Sequence, residues 1–149
     1  MSVTTESAQQ FLNRRRHRAH PRRVVCSEAS PCALGLQFGL LGDGSVEATL
    51  DCPNPFQGYP ERLHGGVIPS LPDGAMPNCL FARGIVAVAA ELNVRFRQPV
   101  RTGVGLAAHA RGRGFAAPLY VVEAGPVQED QVRAEAVGKF MQAPGDPRR

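Results

Sequence analysis

The chain has 149 residues, of which 43% are hydrophobic and 20% charged, and it contains no tryptophan. This is the composition of a single globular domain; it excludes a disordered chain, and the shortness of the apolar runs excludes a membrane-spanning helix. The net charge of +4 is unevenly placed: Arg14, Arg15, Arg16, Arg18, Arg22 and Arg23 are six of the 17 basic residues, and the other 11 face 13 acids, leaving −2.

Residues 1–23 therefore read as a basic, disordered tail. Met1 to Gln10 has no apolar stretch of the secretory kind, which points to the cytoplasm. The arginines would attract phosphate, but no aromatics interleave them to stack on bases. A solvated terminus explains them more simply than nucleic acid as a partner. Cys26 and Cys32 are spaced C-x5-C, which is not a zinc spacing, although His17 and His20 lie nearby. With Cys52 and Cys79 they read as reduced thiols, and neither a metal nor a cofactor is expected.

The first predicted strand is "LGLQFGLL" (34–41), with Leu34, Leu36, Phe38 and Leu40 on one face. "GDG" (42–44) signals a hairpin turn into a second strand, "SVEATLDC" (45–52). A proline-rich loop covers 53–63. After residue 83, "VAVAAELNVRFRQPV" (86–100) is the clearest signal in the chain. Val86, Val88, Ala90, Leu92, Val94 and Phe96 alternate with polar residues, so one face should lie buried on a helix. Three more strands are expected over 104–114, 118–127 and 131–143. Residues 144–149 form a short tail, and the domain runs from 24 to 143.

Between the strands lies "RLHGGVIPSLPDGAMPNCLF" (62–81). An antiparallel sheet with one apolar face needs a cover, and no other segment can supply it. The spacing of Val67, Leu71, Ala75 and Met76 is helical. Pro72 and Pro77 oppose a helix, because an interior proline costs about 3 kcal/mol. Two solutions are compatible with the residues. A bent helix can start at Gly66. Alternatively a helix can start near Ser70, with Ser70 as N-cap, Pro72 in the first turn and Asp73 at the third position, so that only Pro77 is interior. A non-helical segment is the remaining alternative.

"FQGYPERLHGGVI", Asp73 and "AELNVRFRQPV", taken in this order, resemble the hotdog-fold acyl-CoA thioesterases of the phenylacetate-pathway (PaaI-like) type. The resemblance covers about residues 24–143. It implies an α+β fold in which an antiparallel sheet of about six strands wraps one central helix. It also implies a homodimer or homotetramer with the site at a subunit interface. In such a site the backbone N–H groups of Gly65 and Gly66 polarise the thioester carbonyl, since a helix N-terminus offers unpaired donors and the positive end of a dipole. Asp73 matches the helix carboxylate that the other subunit brings across the interface as general base or nucleophile. His64 reads as a positioning residue, and Gln57 or Asn54 matches the amide residue upstream. Arg95, Arg97, Arg111 and Arg113 are candidates for the phosphates of coenzyme A, although a solvated strand face also accounts for them.

The sequence departs from that pattern at Pro69 and Pro72, where relatives carry helix formers. It departs again at Pro77 and Ala89, where they carry hydroxyl residues. The alternative to a hydrolase is a hotdog module that binds acyl-CoA or serves in assembly without turnover.

Overall fold

A computed structural model describes residues 9–10, 12–13, 36–51 and 57–143. In chain order the elements are β1 (Gly39–Leu40), β2 (Val46–Asp51), α1 (Ser70–Phe81), β3 (Ala87–Phe96), β4 (Gly105–Ala116), β5 (Leu119–Gln128), β6 (Gln131–Val132) and β7 (Ala134–Gln142). The strands pair antiparallel in the order β1-β2-β4-β5-β7-β3, with β6 appended to β5. A helix packed on an antiparallel sheet of this kind is the expected hotdog architecture.

The sheet curls around α1, which packs mainly on β4 and β5. Ten of its 12 residues are buried. A helix buried on nearly all sides cannot be amphipathic, so the apolar stripe read from the sequence is only part of what it hides. Its packing face on the sheet is built from small residues and one gap: Ala108, Ala110, Val122 and Ala136 are buried, and Gly138 lies opposite Leu92. A Cβ on Gly138 would stand 2.5 Å from the sulfur of Met76, so this glycine lets the helix settle on β7.

The helix begins at Ser70, with Pro69 in the N-cap position and Pro77 inside. Of the two helical solutions the later start is the one adopted. The physical reason is that Pro72 then falls in the first turn, where a backbone N–H has no helical partner anyway. Ser70, however, is the first helical residue rather than the cap. Its hydroxyl donates back to the Val67 carbonyl at 2.5 Å, and no side chain caps the helix. The helix runs through Pro77 to Phe81, without the bond that a residue 77 N–H would give to the Asp73 carbonyl.

Two strand expectations are corrected. Only Gly39 and Leu40 of the first strand pair, as the edge of the sheet on β2. Leu36 and Phe38 are buried ahead of it without a ladder, so burial and not pairing accounts for the apolar alternation. In β3 the register shifts between Ala89 and Glu91. A bulge of this kind reverses the alternation. Val88, opposite Met141, therefore shares a face with Glu91, Asn93 and Arg95, not with Leu92, Val94 and Phe96. The expected burial of this strand on the helix is also not found. β3 lies at the edge and touches α1 little, and Val88, Leu92 and Phe96 are 57%, 37% and 55% exposed. The last strand is split in two at Arg133, whose side chain turns inward.

Part of the stretch expected to be a tail is packed. Residues 9–10 and 12–13 are helical, and Leu12 is fully buried. The Gln9 amide donates to the Phe38 carbonyl at 3.0 Å, and its oxygen accepts from the Leu40 N–H at 2.5 Å. This holds the β1 edge. Arg14 to Arg23, Cys26, Cys32, Cys52 and Asn54 lie outside the described residues. Among the described residues no helix is long and apolar enough to cross a membrane.

Candidate functional site

The segment before α1 is anchored by backbone bonds. Gly58 N–H donates to the Arg62 carbonyl at 2.9 Å, and Leu63 N–H to the Val100 carbonyl at 2.8 Å. Gln57 contributes to this turn: it bridges Leu63, and its side-chain oxygen accepts from the Glu61 N–H at 3.2 Å. In this chain its amide oxygen thus holds the loop that presents His64.

Beyond Leu63 the chain turns through Gly65 to Pro69. His64 organises this turn with two acceptors. Its carbonyl takes the N–H groups of Val67 (2.8 Å) and Ile68 (3.2 Å), and its Nδ1 takes that of Gly66 (2.8 Å). In this arrangement Nδ1 carries no proton, and the ring N–H is on Nε2. Neither glycine has a positive φ. Gly66 is needed for another reason: a Cβ there would lie 3.0 Å from the imidazole ring. Gly65 faces open space, and its N–H makes no hydrogen bond among the described residues. Of the two expected carbonyl polarisers, one donor is open and the other is held by His64.

Asp73 sits in the first turn of α1, its N–H bonded to the Pro69 carbonyl at 3.1 Å. It is half-buried. Ser70, one turn earlier, is the other residue of α1 that is not buried. The helix thus opens to solvent only along the Ser70–Asp73 line, and its sole carboxylate stands in that opening. Further along, Asn78 is fully buried. Its amide donates to the Gly74 carbonyl at 2.8 Å, while its Oδ1 has no partner. Burial pushes the Cys79 thiol up to about 11, with Arg83 acting weakly in the other direction.

The candidate arginines lie elsewhere. Arg111 and Arg113 both face Glu123, Arg111 in a close ion pair and Arg113 at 3.8 Å. They line an open groove of about 530 Å³ with His109 and Glu135. Along β4 His109 and Arg111 alternate with Ala108 and Ala110, which are buried on the helix side, so the groove is on the opposite face of the sheet; Arg113 follows at a register shift between Gly112 and Gly114. Arg97 pairs with Glu135 at 2.7 Å, and Arg95 stands across from Glu135 in the ladder. The structure brings His64, Gly65, Gly66 and Asp73 into one stretch and leaves these four arginines on another surface. Ala89 lies at the β3 bulge. Among the described residues no three His, Cys, Asp or Glu side chains form a group that could hold a metal ion.

Solved structures share this fold. The PaaI protein of Escherichia coli, from the phenylacetic acid degradation operon, superposes with a TM-score of 0.78 at 22% identity, over 93% of this chain and 98% of that one. A thioesterase superfamily protein gives 0.77 at 24% identity over 80% of this chain; the match spans only 63% of that protein's length. A Streptococcus mutans protein solved with acetyl-CoA bound gives 0.67 at 19%, over 72% of this chain and 88% of that one. No family model matches the sequence. No curated protein matches it either. The chain has the hotdog fold of the PaaI-like thioesterases.

Proposed function

We infer that this protein hydrolyses an acyl-CoA thioester, with Asp73 as the residue that activates water. The observation that carries this reading is the placement of Asp73: a carboxylate at the single solvent opening of an otherwise buried helix, just after a turn with an open backbone donor. The acetyl-CoA in the S. mutans neighbour supports this class of ligand.

In the proposed step the Gly65 N–H, joined by that of Gly66 once His64 releases it, receives the thioester oxygen. Asp73, reaching across a dimer interface from the second subunit, takes a proton from water as the water oxygen bonds to the carbonyl carbon. The tetrahedral intermediate collapses with cleavage of the C–S bond, and the leaving thiolate takes the proton back from Asp73. The products are the free acid and coenzyme A. If Asp73 attacks directly, a mixed anhydride forms first and water cleaves it. Arg95, Arg97, Arg111 and Arg113 remain candidates for the coenzyme A phosphates only where a second subunit brings its site to them.

The runner-up is a binding module without turnover. Two observations favour it: His64 occupies one of the two donors, and Pro77 leaves no hydroxyl one turn after Asp73. A panel of acyl-CoAs with thiol release as readout separates the two. Turnover with at least one acyl group is expected; saturable binding across the panel without thiol release would leave the binding module.

A further inference from the structure

Three arginines meet in a cavity next to the His64 turn. It has a volume of about 310 Å³ and is lined by Pro60, Glu61, Arg62, Pro99, Arg101 and Arg133. The backbone forces the clustering. Arg62 and Arg101 stand opposite each other in an antiparallel bridge, supported by the bond from the Thr102 N–H to the Glu61 carbonyl. Like charges placed directly across a ladder repel. Glu61 adopts a left-handed backbone, φ 62°, in the same turn, and such strain gathers at functional sites.

Arg133 adds a buried charge. Its side chain is only 7% exposed. Its Nε donates to the Gln128 carbonyl at 3.2 Å, and its Nη1 to the Gln98 side chain and the Pro99 carbonyl, both at 3.3 Å. All three acceptors are neutral. The nearest carboxylate, Glu129, is 3.9 Å from Nη2, beyond hydrogen-bond distance. Glu129 also meets Arg101 at 3.1 Å, and it is half exposed. The Arg62 guanidinium has no partner among the described residues. One half-exposed carboxylate shared between two arginines compensates the buried Arg133 charge only in part, and an anion in the cavity would relieve both it and the Arg62–Arg101 repulsion.

We propose that this cavity is a phosphate-binding site in which Arg62, Arg101 and Arg133 hold a phosphoryl group. The planar guanidinium fork matches two phosphate oxygens at once; Arg62 and Arg101 line the cavity, and Arg133, whose Nε and Nη1 are engaged by neutral acceptors, adds its Nη2. Glu129 is the internal competitor that spans Arg101 and Arg133 when the site is empty. The phosphoryl group has two possible sources, a free inorganic anion or the nucleotide end of a coenzyme A bound at the adjacent His64 turn. The second source rests on the thioesterase reading; the site itself does not.

Isothermal titration of the full chain with inorganic pyrophosphate, and separately with coenzyme A, tests this. Arg62 and Arg101 are exposed, so Arg62→Ala and Arg101→Ala are expected to fold, which their melting curves check. Each should weaken pyrophosphate binding about tenfold, the loss of one charge-assisted bond. Glu129→Gln should tighten it, an effect no structural role explains. A parallel loss for coenzyme A assigns the phosphate to the nucleotide; a loss for pyrophosphate alone assigns it to a free anion. Absence of pyrophosphate binding at millimolar concentration, or affinity indifferent to both alanine variants, overturns the site. Asp73→Asn should leave pyrophosphate binding unchanged, so failure of the hydrolytic reading registers separately.

Discussion

Asp73 stands in the one opening of α1, and its proposed role depends on a single proton. Asp73→Asn keeps the shape and removes the base. It should lower thiol release by about 100-fold or more while the fold stays intact, which circular dichroism checks. Thiol release that persists in this variant would move the chemistry elsewhere. Cys79 allows a pH test of the core. Burial raises its folded pKa to about 11, from 9.0 when unfolded. Below pH 9 both states hold the proton and the stabilising effect is fully present. Between pH 9 and 11 the unfolded chain releases the proton first, so stability falls as pH rises. Urea titrations at pH 8 and pH 10.5 should show this fall, and Cys79→Ala should reduce it.

At the scale of elements, α1 tolerates its prolines by position. Pro72 sits in the first turn and costs little, whereas Pro77 removes an interior bond. Pro77→Ala restores the N–H that the Asp73 carbonyl lacks, and it gives up part of a buried side chain. The expected net gain in stability is about 1–3 kcal/mol, read from the urea midpoint. A loss would mean that packing of the proline ring outweighs the missing bond. The strands follow a similar logic. The alternation in β3 was legible in the sequence as a long strand, but its bulge was not, because nothing in "VAVAAELN" marks where the ladder slips. Its assignment to a buried face followed from that regular alternation and is the part that failed.

At the scale of the whole molecule, β3 is the feature that a single chain leaves unfinished. One of its edges pairs with β7, and the other is open. Leu92 and Phe96 stay partly exposed on its inner face. Val88 joins Met141 and Leu119 on the outer face, in one row across three strands. An open, apolar edge strand invites pairing with another chain. A second copy joined along β3 is therefore expected. Sedimentation at micromolar concentration should give at least a dimer; a stable monomer would contradict this.

Some of this protein was determined by local sequence alone. Glycines and prolines mark the turns, period-two patterns mark β2, β4, β5 and β7, and the His64–Asp73 spacing points to the thioesterase-like arrangement. These signals are local, and neighbouring residues suffice to express them. Other properties belong to the folded chain. Ten residues of α1 are buried because the sheet curls around it, not because its own pattern demands it. Arg111 lies on the face opposite the helix because of strand register, and Arg113 joins it in the groove at a break in that register. Arg62, Arg101 and Arg133 are far apart in sequence, and a bridge and a broken strand bring them to one cavity. Register and curvature are sums over many pairings, so no single stretch of the sequence displays them.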